Sequence, residues 1–317
     1  MNQGPNEQRD GVAAGVGSSL DTAAPSILSI ARARIADFLE LAKFRLSLLV
    51  LVVAAAGYCL GSSGAIDFVS LGHTVIGIAL VAFAANAINQ VIEREFDAKM
   101  LRTRNRPLPS GRVSVAEALV FSGLCAAGGI IWLDAFANTL AASLAALTLF
   151  TYVWLYTPAK RLTAHNTLIG AIPGALPPVI GYAAASGSLT IEAALLFLIL
   201  YFWQMPHFYA IAWMYREDYA RGGYRMLSVT DPTGLAVSRQ SLLYMGLLIL
   251  ATLLPAVFAG WPVVYLCGAG SVGFWLGVFV VRFATDRTRA NARAVLLASI
   301  AYLPALVLLL LLTRSVS

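Results

Sequence analysis

Runs of about twenty mostly apolar residues, the length that crosses ~30 Å of hydrocarbon, follow one another through nearly all of this chain after residue 45. They lie near 46–62, 72–92, 115–133, 137–156, 166–185, 191–212, 241–260, 263–281 and 294–312. Backbone polar groups in lipid must be bonded within their own segment, so runs of this kind form helices. Nine spans over 46–312 leave no room for a separate soluble domain. The composition agrees: 59% hydrophobic, 12% charged and a mean hydropathy of +0.76 lie far from an ordinary soluble domain. The expected fold class is an all-α polytopic membrane protein.

The charges set an expected orientation. Of the 22 basic residues, 21 fall before the first span or after the second, fourth, sixth and eighth, and only Arg314 falls on the other side. Positive residues in short loops are retained on the cytoplasmic side, so the N-terminus is expected there and the C-terminus outside. The same bias accounts for the net charge of +6 without a nucleic-acid partner, and no soluble basic fold accompanies it. Residues 1–23 are rich in Gly, Ala and Ser, have no apolar core and lack an Arg-rich, acid-poor leader pattern. They read as a disordered cytoplasmic tail, and a bacterial inner membrane is the expected location. Residues 24–45 carry apolar positions near helical period and read as an interfacial amphipathic helix, and 313–317 as a short outer tail. Cys59, Cys125 and Cys267 have no metal or redox spacing and read as packing residues.

Polar residues crowd two connections. In "NQVIEREFDAKMLRTRNRPLPSGR", Asn89, Glu93 and Asp97 recur every fourth residue, which stacks them on one helix face. Like charges at that spacing destabilise a bare helix. An Asn and two carboxylates so aligned suit a hard cation such as Mg²⁺, which takes one or two carboxylates and completes its shell with water and substrate phosphates. Lys99, Arg102, Arg104 and Arg106 follow directly. Guanidinium forks suit phosphate oxygens, and the same residues also serve as membrane-edge anchors.

The second stretch, "YFWQMPHFYAIAWMYREDY", places Gln204 and His207 inside the sixth span and Arg216, Glu217 and Asp218 at its end. An ionisable residue in a membrane helix marks a functional site by default; a neutral imidazole bonded to a neighbouring helix is the alternative. Pro206 is expected to kink this helix. Between the two, "YTPAKRLTAHNTLIGAIPGALPPVIGY" carries Lys160 and Arg161 at the membrane edge, as anchors or as partners of the same anion. Its Gly170, Gly174 and Gly181 permit close helix approach, and Pro173, Pro177 and Pro178 are expected to break regularity.

These three stretches resemble the UbiA superfamily of intramembrane prenyltransferases over about residues 30–312, and WQMPH points to its haem-modifying branch. The superfamily's first motif is usually an Asn-Asp pair followed by two aspartates at a four-residue stride. Asn89 and Asp97 match it, Gln90 stands in for the second residue of the pair, and Glu93 replaces the first later Asp. Where the second motif has an inner Asp, this chain has His207, and Glu217 and Asp218 remain of its acidic end.

The resemblance implies nine helices around a central cavity capped by the two charged loops. It further implies transfer of a farnesyl group from farnesyl diphosphate to the ring-2 vinyl group of haem B, with water addition, to give haem O for terminal oxidases. The implied metal ligands are Asn89, Glu93, Asp97 and Asp218 holding Mg²⁺, with Glu217 joining them in the catalytic set. Lys99, Arg102, Arg106, Lys160, Arg161 and Arg216 would meet the diphosphate, and His207, Gln204 and Trp203 the haem. Haem B, farnesyl diphosphate and the lipid bilayer are the implied partners, with haem A synthase a candidate protein partner. A quinone-ring precursor or chlorophyllide as acceptor would be expected with Asp in place of His207. A transporter would place its charges near the bilayer midplane.

Overall fold

Each of the nine apolar runs is helical in the structure, a computed structural model whose described residues are 26–314. The expected tail 1–23 lies outside the described residues, as do 24–25 and 315–317. The chain begins with α1 (Ile27–Leu41), whose first turn is capped by Ser26 Oγ accepting the Ser29 N–H at 3.2 Å. Ile27, Leu28, Ile30, Ile35 and Leu39 of α1 are exposed, and Leu28, Ile35 and Leu39 share one face of the helix, an apolar stripe suited to the plane of a membrane surface.

The spans are α2 (Phe44–Gly61), α3 (Phe68–Asp97), α4 (Val115–Phe136), a composite fourth, α7 (Asn166–Ser186), α8 (Ile191–Met214), α11 (Leu235–Leu253) ending in a 3₁₀ turn at Leu254–Phe258, α12 (Pro262–Thr285) and α13 (Arg289–Thr313). The composite fourth joins α5 (Thr139–Phe150), a π-helical turn at Thr151–Tyr156 and α6 (Thr157–Leu162). Short helices α9 (Arg216–Arg221) and α10 (Leu227–Thr230) lie between α8 and α11. Local chemistry sets several starts: Asp67 caps α3, Ser114 and Glu117 form a capping box on α4, and Thr288 caps α13.

Helices adjacent in sequence pack as neighbours, with α3 against α4, α7 against α8, and α11 and α12 against each other; α8 also meets α11 and α13, and α13 touches α2 to complete the bundle. The core runs along α7 and α8, whose membrane-length windows are 61% and 56% buried against 22–39% for the other seven spans. With 30 residues, α3 is about 45 Å long at 1.5 Å per residue. It therefore outruns the ~30 Å hydrocarbon, and its last turns stand at the same end of the bundle as the basic loops.

The prolines expected to interrupt the fifth span do not. Helix α7 runs unbroken through Pro173, Pro177 and Pro178, and α8 runs through Pro206. The reason is packing: α7 is clamped between α2 and α8, and neighbouring helices sustain a helix that has lost single backbone bonds. Backbones of α2 and α7 touch directly. A Cβ on Gly57 would sit 2.0 Å from the Pro178 carbonyl oxygen, and one on Gly181 would sit 1.9 Å from that of Ala54. Small residues are what let membrane helices approach so closely. Because the obstacle is backbone, Gly57→Ala is expected to lower stability by roughly 1–3 kcal/mol or more, whereas Gly128→Ala, which meets open space, should not. Thermal unfolding of the two variants in detergent measures the difference.

Candidate active site

The four-residue stride of Asn89, Glu93 and Asp97 becomes a single buried face on the projecting end of α3; their residual exposures are 1%, 6% and 1%. Buried carboxylates require partners, and each has a cation. Glu93 Oε1 pairs with Lys160 Nζ from α6 at 2.8 Å, and Asp97 Oδ2 accepts from Arg106 Nη1 at 2.6 Å. Asn89 bridges two elements: its Oδ1 accepts from Lys43 Nζ at 3.5 Å and its Nδ2 donates to Thr157 Oγ1 at 3.2 Å. The loop after α3 folds back over this face, with the Thr103 hydroxyl donating to the Asp97 carbonyl at 2.8 Å.

The two charged loops dock on each other beside this face. The Leu101 N–H donates to Asp218 Oδ1 at 3.2 Å, and the Arg102 guanidinium lies over Tyr215 at 5.1 Å and Tyr219 at 6.0 Å. Met100, Ala212, Tyr224 and Met226 form a small buried cluster under the contact. Asp218 is also paired with Arg221, and that hydrogen bond, reinforced by the Leu101 N–H, holds its carboxyl below the usual range. Asp218 is thus tied to the loop contact, and its bonds run to Leu101 and Arg221 rather than to Asn89, Glu93 and Asp97. Glu217 points to solvent, 4.0 Å from the Arg216 guanidinium, and Arg216 lies over Trp213 at 4.6 Å. Arg161 and Lys99 lie over Phe96 at 4.7 and 5.6 Å.

Three residues that sequence patterning did not single out complete the cluster. Lys43 sits between α1 and α2 in the left-handed backbone region at φ 48°, a costly conformation for a residue with a Cβ. Gln90 and Asn86 hold that junction, donating to the carbonyls of Leu41 at 2.6 Å and Ala42 at 3.1 Å. The residue that departs from the usual Asn-Asp pair thus aims a lysine at Asn89. Thr157 is the second addition. The third is Tyr224, whose hydroxyl is buried with no hydrogen-bond partner among the described residues, within electrostatic reach of Glu93 and Asp97. The one local sequence signal beside Tyr224 is the Gly222-Gly223 pair before it, and such pairs are common in turns.

Among the described residues no three His, Cys, Asp or Glu side chains converge. The set of Asn89, Glu93 and Asp97 nevertheless fits a hard divalent cation that shares its shell with an anion, since Mg²⁺ takes few protein oxygens beside substrate phosphates. The orphaned Tyr224 hydroxyl and the three basic side chains bonded to the same face, Lys43, Lys160 and Arg106, are donors suited to that anion.

Deeper in the bundle, α8 presents Trp203, Gln204 and His207. Gln204 is spent on helix packing: its Nε2 donates to the carbonyls of Ala171 at 3.2 Å and Leu200 at 3.0 Å, and its Oε1 lies where a Cβ on Gly174 would be. Trp203 donates its indole N–H to the Ser299 carbonyl at 2.9 Å, and its ring stacks on His207 at 4.9 Å.

This membrane-helix bundle with buried, cation-paired oxygens at one end matches the UbiA prenyltransferase family over residues 50–311, which makes its class that of the intramembrane prenyltransferases. The chain belongs to that family. Among its relatives are a protoheme IX farnesyltransferase of Solibacter usitatus, 46% identical over 88% of this chain and 98% of that one, and another of Koribacter versatilis, 40% identical over 92% and 96%. The human mitochondrial protoheme IX farnesyltransferase is 41% identical over 86% of this chain and 61% of its own. Among solved structures, digeranylgeranylglyceryl phosphate synthase superposes with a TM-score of 0.72 at 18% identity, over 88% of this chain and 98% of that one. A UbiA homologue from Archaeoglobus fulgidus bound to DMAPP and Mg²⁺ superposes at 0.60 with 16% identity, over 84% and 99%.

Burial, followed by the charges of Arg106 and Lys160, brings the Lys43 ammonium down to about 7, against the opposing pull of Glu93 and Asp97. Its ordinary value, 10.5, applies to the unfolded chain, which therefore binds the extra proton between these limits. The linkage sign follows: stability gains from this group as pH rises from about 7 toward 10.5, and the penalty is fully present below 7. Lys43→Met should flatten the rise of melting temperature over about pH 7–9, measured side by side with the unsubstituted protein.

Proposed function

We propose that this chain transfers a farnesyl group from farnesyl diphosphate to a vinyl group of haem B, with addition of water, to give haem O. The observation that carries the reading is the buried face of Asn89, Glu93 and Asp97, each polar group already matched to a cation. Its support from outside the structure is the identity of 40–46% to protoheme IX farnesyltransferases. No observation favours a quinone-ring or chlorophyllide acceptor, and the polar groups lie at one end of the bundle rather than in a midplane ring, as a transporter would need.

In this reading the diphosphate lies against the end of α3. Lys43, Lys160 and Arg106 exchange a carboxylate or amide oxygen for a phosphate oxygen, and Arg102, Lys99, Arg161 and Arg216 frame the same anion from the docked loops. The exchange would free Asn89, Glu93 and Asp97 as the residues that hold the metal, with Asp218 on the docked loop beside them. Mg²⁺ bound there supplies charge neutralisation on the departing diphosphate. The donors are fixed by buried pairs and loop bonds before the substrate arrives, and preorganised charge of this kind favours ionisation of the allylic C–O bond. The Tyr224 hydroxyl adds one uncommitted donor.

The allylic cation then forms in an apolar bundle that keeps water from capturing it early, beside the aromatic faces of Phe202, Trp203, Phe208, Tyr209 and Tyr215. The vinyl carbon attacks the cation, the new cation at the porphyrin edge takes a water molecule, and loss of one proton leaves the alcohol. With Lys and Arg concentrated at the active end, we place that end on the cytoplasmic side of the bacterial inner membrane, the C-terminus on the periplasmic side, and haem A synthase downstream as a protein partner.

Purified chain in detergent, given haem B, farnesyl diphosphate and Mg²⁺, is expected to yield haem O by mass spectrometry; absence of that product would sink the assignment. Asp97→Ala and Glu93→Ala should each cut turnover by about 100-fold or more, the scale of losing one electrostatic catalytic group, with haem uptake retained.

A further inference from the structure

Ser299 of α13 makes three contacts that together decide the state of His207. Its Oγ lies 2.8 Å from the carbonyl oxygen of Leu296 and 2.8 Å from His207 Nδ1, and its own carbonyl accepts the Trp203 indole N–H at 2.9 Å. A carbonyl only accepts, and a hydroxyl has one proton. Both Oγ contacts are satisfied only if Ser299 donates to Leu296 and accepts from Nδ1. Nδ1 therefore carries the imidazole proton.

In a neutral imidazole the other nitrogen then holds a lone pair. Nε2 has no bonded partner among the described residues, and the His207 ring is only half-buried, so that lone pair is available. The ring cannot turn away easily: Trp203 stacks on it at 4.9 Å with planes 23° apart, and Phe208 meets it edge-on at 5.2 Å. A bare Nε2 cannot donate to a porphyrin propionate, which itself only accepts. It can accept a proton or bind a metal. An imidazole whose second nitrogen donates its N–H to an oxygen is the arrangement metal-binding histidines adopt, because it fixes the tautomer and aims the ligating nitrogen.

We propose that His207 Nε2 is an axial ligand to the iron of the acceptor haem, and that Ser299 is the positioning residue that fixes its tautomer and orientation. The inference rests on the haem acceptor proposed above. In this arrangement α8 and α13 act together, pinning the porphyrin at its centre while its vinyl edge faces the allylic cation.

Haem ligation is tested by titrating the full-length protein in detergent with haem B and recording optical absorption in both oxidation states. The unsubstituted protein should give an imidazole-ligated spectrum. His207→Ala should lose it, and added free imidazole should restore it. Ser299→Ala should weaken haem binding roughly 10–100-fold, the usual cost of removing a partner behind a metal ligand, and shift the spectrum; Ser299→Thr, which keeps the hydroxyl, should hold the band position. Spectra that are the same with and without His207, in a protein that still makes haem O, would overturn the ligation and leave the proposed function standing. A Ser299→Ala protein with unchanged spectrum and affinity would remove Ser299 from its positioning role. A well-folded protein that neither takes up haem nor makes haem O would overturn the functional reading, and the ligation with it.

Discussion

Two carboxylates at the end of an otherwise apolar helix cannot stay charged without compensation, and much of the basic end of this bundle is built around that requirement. The pairing of Glu93 with Lys160 ties α3 to α6, and that of Asp97 with Arg106 folds the following loop back onto its own helix. Asn89 then links the same face to the α1–α2 junction and to Thr157. Removing one member of such a buried pair typically costs about 3–5 kcal/mol because a bare charge is left behind. The network is therefore structural in the absence of substrate, yet each of its ion pairs joins a group suited to a cation with a group suited to an anion. In the proposed reading, substrate binding would need only an exchange of partners.

The architecture was legible in the sequence where lipid imposes it. Apolar run length gave the nine spans, and a stride of four placed Asn89, Glu93 and Asp97 on one face, because both depend on helix geometry alone. The prolines misled, since local propensity takes no account of the neighbours that keep α7 continuous. Lys43 was hidden for a different reason. Its place in the site comes from a left-handed backbone residue and from Gln90 and Asn86, which reach it across more than forty residues of chain.

Residue roles divide the same way. Glu217 and Asp218 are adjacent in sequence and look equivalent, but the turn into α9 sends one to solvent and buries the other against the Leu101 N–H. Gln204 and His207 are both polar residues in one helix. The first is consumed by the carbonyls of Ala171 and Leu200, and the second keeps a free nitrogen. Which polar atoms remain uncommitted after packing is a property of the neighbours, and no periodicity reports it.

The π-helical turn at Thr151–Tyr156 has a consequence for how one helix serves two environments. An extra residue in a helical turn shifts everything after it by roughly 100° about the axis, one residue's share of the 3.6-residue turn. The part of the span before the turn keeps the register that packs α5 against α7, while the part after it follows a different register, in which Thr157 and Lys160 meet α3. Thr157 Oγ1 bonds the Tyr152 carbonyl at 2.9 Å and so stabilises the turn from the side of the site. The span works as a coupling between two phases, so the register for packing in the bundle and the aim of its lysine can be tuned separately by evolution.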